Sequence, residues 1–224
     1  MAGFAHMPDR PILFSAPMVR SLLSGSKTQT RRLAWKETKA HGLPKEGWRL
    51  VTDGRGHGKL YRPTVWQMVE PGDRLWVRET HTTFMKEVTR PDGKYFDRVP
   101  TAMYATDYEG FEKPDRDWDW KPSIHMPRWA SRLTLIVTET KRERLQDISP
   151  EDCMAEGRGI RGMTQNLETG DMEPSADYYF PFADLWDSIH GKNAWDENPE
   201  IVAISFRCIL ANIDALETEA GAHG

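Results

Sequence analysis

The pattern of apolar and polar positions begins with a short strand followed by a helix. Residues 12–14 are apolar and β-prone, which is typical of a strand. Ser15 can cap a helix, and Pro17 fits an early helical position. Apolar residues then recur over 18–23 with helical spacing, and Gly25 marks the end of the helix. We therefore predict a strand and a helix that end at the sequence SGSKTQTRR.

Three further apolar runs predict strands. Residues 72–80, GDRLWVRET, alternate well enough for a strand with two different faces. Residues 133–137 form a β-rich run, and residues 200–210 form a closing strand near the end of the chain.

Two segments carry the signals of helices with defined ends. In DISPEDCMAEG, Ser149 is the predicted N-cap, Pro150 the first helical residue and Gly157 the stop. Acidic residues follow the cap, where they favour the positive end of the helix dipole. FPFADLWDSIHG predicts a second helix that ends at Gly191.

Long polar stretches separate these elements. Residues 36–70 are polar and rich in glycine, so we interpret them as a long, partly ordered insertion. Residues 86–100 and 106–122 have the composition of loops, with a short strand near Tyr104, and 158–180 is predicted to be flexible. Strands separated by short helices, without regular βαβ alternation, indicate an α+β fold. A small, curled, mostly antiparallel sheet is expected to close the core.

The composition bounds the number of domains and the kind of partner. The chain has 224 residues, of which 38% are hydrophobic, enough for one ordinary core or two very small domains. Its net charge is −4 at pH 7, whereas proteins that coat nucleic acid are usually basic. Any contact with nucleic acid is therefore expected in a local pocket. We expect flexible termini over 1–10 and 211–224.

The cysteine content and the hydropathy of the sequence indicate the cellular compartment in which the protein is expected. Cys153 and Cys208 have no metal-ligand spacing; they fit a reducing cytosol, and each is expected to be a small buried side chain. The sequence lacks an apolar run long enough to span a membrane, and residues 1–10 lack the apolar core of a signal peptide. We expect a cytoplasmic protein with no cofactor, no metal and no membrane partner.

Tryptophan is frequent, with nine residues, and two of them lie in polar surroundings. Trp118 and Trp120 occur in PDRDWDWKP, a stretch that does not have the composition of a core. Aromatic residues in polar loops often stack on flat ligands or partners, but they also cap a core from outside. The sequence leaves both interpretations open.

SGSKTQTRR places a lysine three residues before a threonine. Thr30 is a weak nucleophile unless a base takes its proton. Lys27 can be that base if burial and the positive charges of Arg31 and Arg32 lower its pKa. Residues three apart point to opposite faces of a regular strand, so the two side chains meet only if the backbone after Gly25 turns or bulges. The alternative is a solvated basic turn followed by a threonine-rich strand.

Two acidic residues and a histidine complete the candidates. Glu156 is in the last turn of its predicted helix, where the dipole disfavours an exposed carboxylate by about 0.3–1 kcal/mol. It is either the counter-charge of a lysine or an ordinary exposed glutamate. Glu79 ends a predicted strand. It either accepts hydrogen bonds from the amino group of a nucleobase or forms part of a surface salt bridge. His125 lies in a loop with two prolines and has no partner at metal-ligand spacing.

Five segments together resemble a known family. They are RPILFSAPMVRSLLSGSKTQTRR, PGDRLWVRET, KPSIHMPRWASR, LQDISPEDCMAEG and LWDSIHGKNAWDENPEIVAISF. These segments are similar to the ASCH-domain proteins that are often found in bacteriophages and prophages. The resemblance implies a single PUA-like domain over 11–210, a small curled β-barrel with flanking short helices and long loop insertions.

The resemblance implies two directions of function. One branch of the family consists of amidohydrolases that remove acyl groups from the exocyclic amine of cytidine, as in N4-acetylcytidine. The lysine and threonine of their G-x-K-T-x-T-x-R turn fall on Lys27 and Thr30, and their glutamate falls on Glu156; Gly25 and Arg32 also match the turn. Other members of the family are regarded as RNA-binding proteins or nucleases.

From these observations we expect a metal-independent amidohydrolase that acts on an N4-acylated cytosine nucleoside or base. Thr30 is the expected nucleophile, Lys27 its base and Glu156 the group that orients the lysine. The residues expected to contact the substrate are Arg32, Glu79, Ser15, Trp76 and His125. The alternative is a non-catalytic module that binds RNA or a modified nucleotide, or a ribonuclease, of phage origin.

The small bacterial amidohydrolases that carry this triad are about half as long as this chain. Residues 36–70, 86–122 and 158–180 have no counterpart in them, and a lid or a wider substrate pocket is the expected role of these insertions. The resemblance implies a small nucleoside or nucleobase as the partner, with RNA as the alternative.

Overall fold

The computed structural model describes residues 9–38, 45–52, 58–91, 93, 96–108, 119–157, 163–165, 172–174 and 179–216. The backbone divides into two compact units. Unit 1 comprises the described residues of Met1–Gly25, Asp73–Ile136 and Arg207–Gly224, and unit 2 those of Ser26–Gly72 and Val137–Phe206. The expected single domain over 11–210 stays a prediction.

The described chain is a mixed α+β structure in which strands outnumber helices, as predicted. The helices and strands in chain order are β1 (Arg10–Leu13), α1 (Ala16–Leu23), β2 (Gln29–Leu33), β3 (Trp35–Thr38), β4 (Arg49–Thr52), β5 (Gly58–Pro63), β6 (Arg74–Arg78), β7 (His81–Thr89), β8 (Phe96–Tyr104), β9 (Thr134–Arg144), α2 (Pro150–Ala155), β10 (Met163–Gln165), β11 (Met172–Pro174), α3 (Tyr179–His190) and β12 (Glu200–Ile209). Short 3₁₀ turns occupy Val65–Met68, Ala105–Tyr108, Ser123–His125, Arg128–Ala130 and Leu145–Asp147.

Unit 1 is built around β6, the strand that the alternation in GDRLWVRET predicts. β1 pairs with β6 in parallel, and β6 pairs antiparallel with the first residues of β9. Leu75, Trp76 and Val77 are all buried, so neighbouring parts of the chain cover both faces of β6. Helix α1 buries Val19 and Leu22 and lies beside the 3₁₀ turn Ala105–Tyr108.

Unit 2 places β12 between β9 and β2. β12 and β2 are antiparallel, with Ile204 opposite Thr30 and Ala203 opposite Arg31. One hydrophobic cluster joins α2 and α3 to this part of the sheet; its buried members are Leu145, Ile148, Cys153, Phe182, Trp186, Ala194, Ile201 and Ala203. In neither unit do the described strands close into a barrel.

Strands occupy parts of two polar regions. The loop prediction for 86–100 is wrong where the structure describes it, whereas residues 36–70, predicted as a partly ordered insertion, contribute β4, β5 and most of β3. β3, β5 and β4 form a three-stranded antiparallel sheet in that order. β7 and β8 pair over nine residues each. All of β4 and the distal part of β7 are exposed, so these strands lack the apolar alternation that burial of one face imposes. These strands are held by backbone hydrogen bonds, which do not depend on an apolar pattern in the sequence.

The helix that carries Glu156 forms as its end signals predict. The Ser149 hydroxyl accepts a hydrogen bond of 3.1 Å from the backbone N–H of Asp152, and Pro150 is the first helical residue. Gly157 follows the helix with φ of 77°, a left-handed conformation that glycine adopts without steric cost. Helix α2 is only six residues long, so these two ends fix most of its position.

Several predictions fall outside the described residues. These include Trp118, most of the predicted flexible segment 158–180, and the ends 1–8 and 217–224. Trp120 is half-buried, and its ring centroid lies 6.0 Å from that of Tyr108. Within the part of the chain that the structure describes, no helix is long and apolar enough to cross a membrane.

The two predicted helix caps should differ in their contribution to stability. Ser149 makes a side-chain capping bond, whereas Ser15, which also precedes a helix with proline near its start, makes none. We expect Ser149→Ala to lower the free energy of unfolding by about 1 kcal/mol and Ser15→Ala, the matched control, to lower it much less. Urea denaturation measures both; equal losses would show that the Ser149 bond does not stabilise α2.

Candidate active site

The backbone bends between α1 and β2. Gly25, with φ of 75°, ends α1. The N–H of Thr28 donates to the Ala155 carbonyl at 2.8 Å, while the carbonyl of Thr28 accepts from the N–H of Phe206 at 2.9 Å. In a regular antiparallel strand both groups of one residue face the same neighbour. The backbone at Thr28 therefore departs from regular strand geometry. Such a departure is required if the side chains of Lys27 and Thr30 are to lie on the same side of the strand.

Lys27 and Glu156 form a buried ion pair. Lys27 is 1% exposed and Glu156 is 6% exposed. Lys27 Nζ lies 2.6 Å from Glu156 Oε2 and also donates to the backbone carbonyl of Glu156 at 2.8 Å. Glu156 is the C-cap residue of α2, and the two residues form an isolated β-bridge across 129 positions of sequence. The structure thus brings together two of the three predicted catalytic residues.

Burial lowers the pKa of the Lys27 ammonium below its ordinary value. The Glu156 carboxylate opposes this shift, and the positive charges of Arg32 and Arg31 add to it. Loss of hydration disfavours the charged form of a basic group, and nearby cations do the same. The surroundings therefore move Lys27 toward the neutral amine that a proton acceptor requires.

Arg31 connects the ion pair to two more carboxylates. Its guanidinium lies 2.9 Å from Glu143 Oε1, 2.8 Å from Asp152 Oδ2 and 3.4 Å from Glu156 Oε1. Gln29, also on β2, donates to Asp152 Oδ1 at 3.1 Å. Glu143 and Asp152 carry no sequence signal that marks them as site residues, because their contacts with Arg31 join β9 and α2 to β2, which are far apart in the sequence.

Thr30 and Arg32 lie on the same strand as Arg31. Thr30 is 3% exposed, and its hydroxyl makes no hydrogen bond to another described residue. The Arg32 guanidinium lies 5.6 Å from the centre of the Trp66 ring. Burial lowers the pKa of Arg32 to about 10, and the Glu156 carboxylate opposes the shift. Arg32 is therefore a cation whose charge acts on both members of the ion pair.

The remaining predicted residues belong to unit 1. Glu79 is 1% exposed and accepts from Arg132 at 2.9 and 3.0 Å and from the Thr106 hydroxyl at 2.7 Å. Glu79 therefore forms a salt bridge with Arg132, as one of the two alternatives predicted, but its carboxylate is buried and does not lie at the surface. Trp76 is buried, whereas Ser15 and His125 are exposed.

The cysteines have the character of structural residues. Cys153 is buried in the hydrophobic cluster of unit 2, and Cys208 is half-buried. Burial raises the pKa of each thiol to about 11. Since the thiolate is the nucleophilic form of cysteine, the raised pKa makes both thiols poor nucleophiles.

Comparison of the chain with models of known protein families, with curated proteins and with solved structures found no match.

The buried ion pair should behave as one unit in unfolding experiments. Lys27→Met leaves Glu156 buried without its ammonium partner, and Glu156→Gln leaves Lys27 without its counter-charge. Breaking a buried pair by removing one partner costs about 3–5 kcal/mol, and we expect each single variant to lose stability on that order. The double variant Lys27→Met, Glu156→Gln should lose less than the sum of the two. Strictly additive losses in urea unfolding would mean that the two charges are not coupled.

Proposed function

We propose that this chain is an amidohydrolase that removes the acyl group from an N4-acylated cytosine nucleoside or base, and that its α+β fold is a PUA-like ASCH domain. The proposal is carried by one observation. A fully buried lysine of the sequence SGSKTQTRR contacts a buried glutamate at a helix end 129 positions away. Burial lowers the pKa of this lysine, and a lysine with a lowered pKa can act as a general base.

The first half of the proposed reaction forms an acyl-enzyme. Neutral Lys27 accepts the proton of the Thr30 hydroxyl while Thr30 Oγ1 attacks the acyl carbon. The carbon–nitrogen bond to the exocyclic amine of cytosine then breaks, and the leaving amine takes the proton from the Lys27 ammonium. The products of this half are free cytosine or cytidine and an ester on Thr30.

The second half returns the enzyme to its starting state. Water attacks the ester carbon, and Lys27 accepts the proton of the water. The bond from the acyl carbon to Thr30 Oγ1 breaks, and Thr30 recovers its proton from Lys27. Glu156 keeps the Lys27 amine in place and balances its charge whenever it is protonated.

The oxyanion formed in each half needs hydrogen-bond donors. Arg32 is the proposed side-chain donor, because its charge already acts on Lys27 and Glu156. Removing one donor of this kind typically costs about 2.7–4 kcal/mol in the transition state. The net charge of −4 is compatible with a neutral nucleoside substrate and does not favour a long polyanion.

The neighbouring threonines of the turn give a matched test of the nucleophile. Thr30 is buried, whereas Thr28, two residues before it, is exposed. With N4-acetylcytidine as substrate, we expect Thr30→Ala and Lys27→Ala to lower the release of cytidine by several orders of magnitude. Thr30→Ser should retain part of the activity, and Thr28→Ala should retain nearly all of it.

Affinity for an uncleavable cytidine analogue separates a catalytic role from a binding role. Thr30→Ala removes one hydrogen bond, worth about 0.5–1.5 kcal/mol, so its affinity should change little. Undiminished turnover in Thr30→Ala would remove Thr30 as the nucleophile and indicate direct attack by water. Binding of RNA or a modified nucleotide by the unmutated protein, without turnover of any N4-acylcytidine, would favour the non-catalytic alternative.

A further inference from the structure

The guanidinium of Arg31 is surrounded by three carboxylates. Arg31 is 4% exposed, and Glu143 and Glu156 are also buried. The Asp152 side chain is 28% exposed. A buried arginine retains its charge in proteins, so Arg31 brings a permanent positive charge next to the Lys27–Glu156 pair.

The contacts of Arg31 are not equally close. Glu143 and Asp152 lie 2.9 and 2.8 Å from Nη2, whereas Glu156 lies 3.4 Å from Nη1. Glu156 is much closer to Lys27, at 2.6 Å. Two carboxylates that take no part in the proposed reaction thus hold the guanidinium, together with the Gln29 amide oxygen, which accepts from Nη1 at 2.5 Å. The third carboxylate, Glu156, is paired mainly with the lysine.

We propose that Arg31 is a positioning residue whose positive charge is partly neutralised by Glu143 and Asp152. The degree of this neutralisation sets how strongly Glu156 holds the proton of Lys27. The inference rests on the proposed function, in which Lys27 takes up and returns a proton. Arg31 does not need to touch the substrate for this role, because it acts through Glu156.

The effect of removing one of the two holding carboxylates has a definite sign. Without the Asp152 charge, Arg31 is less neutralised and attracts Glu156 more strongly. The Lys27 ammonium then has a weaker counter-charge and a stronger neighbouring cation, both of which disfavour the charged form. The pKa of Lys27 should fall, and the neutral base should be present at lower pH.

The other charged and titratable groups near this network must stay unchanged for the comparison to be valid. Lys141 on β9 lies 2.6 Å from Glu143 Oε2, and Arg32 and Cys153 face the network from β2 and α2. Among the described residues, the charged and titratable groups of this network include Lys27, Arg31, Arg32, Lys141, Glu143, Asp152, Cys153 and Glu156. Glu151 interacts electrostatically with Cys153, and His190 with Arg32.

Asp152→Asn is the test variant. The amide oxygen of asparagine can still accept from Arg31 or Gln29, so the change removes a charge from a partly exposed position with little loss of hydrogen bonding. Glu151→Gln is the matched control: it removes the same charge from the neighbouring, exposed position of α2. NMR titration of isotope-labelled lysine follows Lys27 in the unmutated protein and both variants, with Lys27→Met assigning its signal.

We expect Asp152→Asn to lower the titration midpoint of Lys27 by about half a pH unit or more, and Glu151→Gln to leave it nearly unchanged. The rise of kcat/KM with pH should move to lower pH in Asp152→Asn alone. Arg31→Lys, which keeps the charge, should preserve the midpoint better than Arg31→Gln, which should raise it.

An unchanged Lys27 midpoint in Asp152→Asn, or equal shifts in Asp152→Asn and Glu151→Gln, would overturn the inference. A purely structural role of Asp152 would lower kcat at every pH without moving the midpoint, which also contradicts it. The NMR titration needs no substrate. A shifted midpoint in a protein that hydrolyses no N4-acylcytidine would therefore contradict the proposed function and leave the electrostatic role of Arg31 intact.

Discussion

The burial of the Lys27 ammonium is the constraint on which the rest of the site depends. Moving a charged amine out of water is costly unless a counter-charge and hydrogen bonds accompany it. Glu156 supplies both, through its carboxylate and its backbone carbonyl. The carboxylate is available there because α2 ends at this residue, and the bend at Thr28 brings the lysine to the same helix end. The bend at Thr28 and the short capped helix α2 thus together position the Lys27–Glu156 ion pair.

The charge distribution shows how an acidic chain accommodates three clustered cationic side chains. Lys27, Arg31 and Arg32 lie close to Glu143, Asp152 and Glu156, so the positive groups are balanced nearly one for one by carboxylates on β9 and α2. Such a site has little long-range attraction for a polyanion. It can nevertheless create a strong local field at the Lys27 amine, where dehydration strengthens every interaction.

The sequence predicted best what depends on local backbone chemistry. The caps and stops of α1 and α2 occur where Ser15, Ser149, Gly25 and Gly157 indicated, and the two catalytic candidates Lys27 and Glu156 meet. It failed for exposed hairpins such as β7 and β8, whose hydrogen bonds impose no apolar pattern. It also could not identify Glu143 and Asp152. Their contacts with Arg31 join residues that are distant in the sequence, and the local sequence does not distinguish such a carboxylate from one that faces water.

The central claim is that the buried lysine activates Thr30 to take up an acyl group. The most direct measurement is the intact mass of the protein after rapid mixing with excess N4-acetylcytidine and acid quenching, followed by peptide mapping. The account predicts a transient population heavier by one acetyl group, with the modification on Thr30 and absent from Thr30→Ala. Steady release of cytidine with no acylated protein at any mixing time, or an acetyl group on another residue, would contradict it.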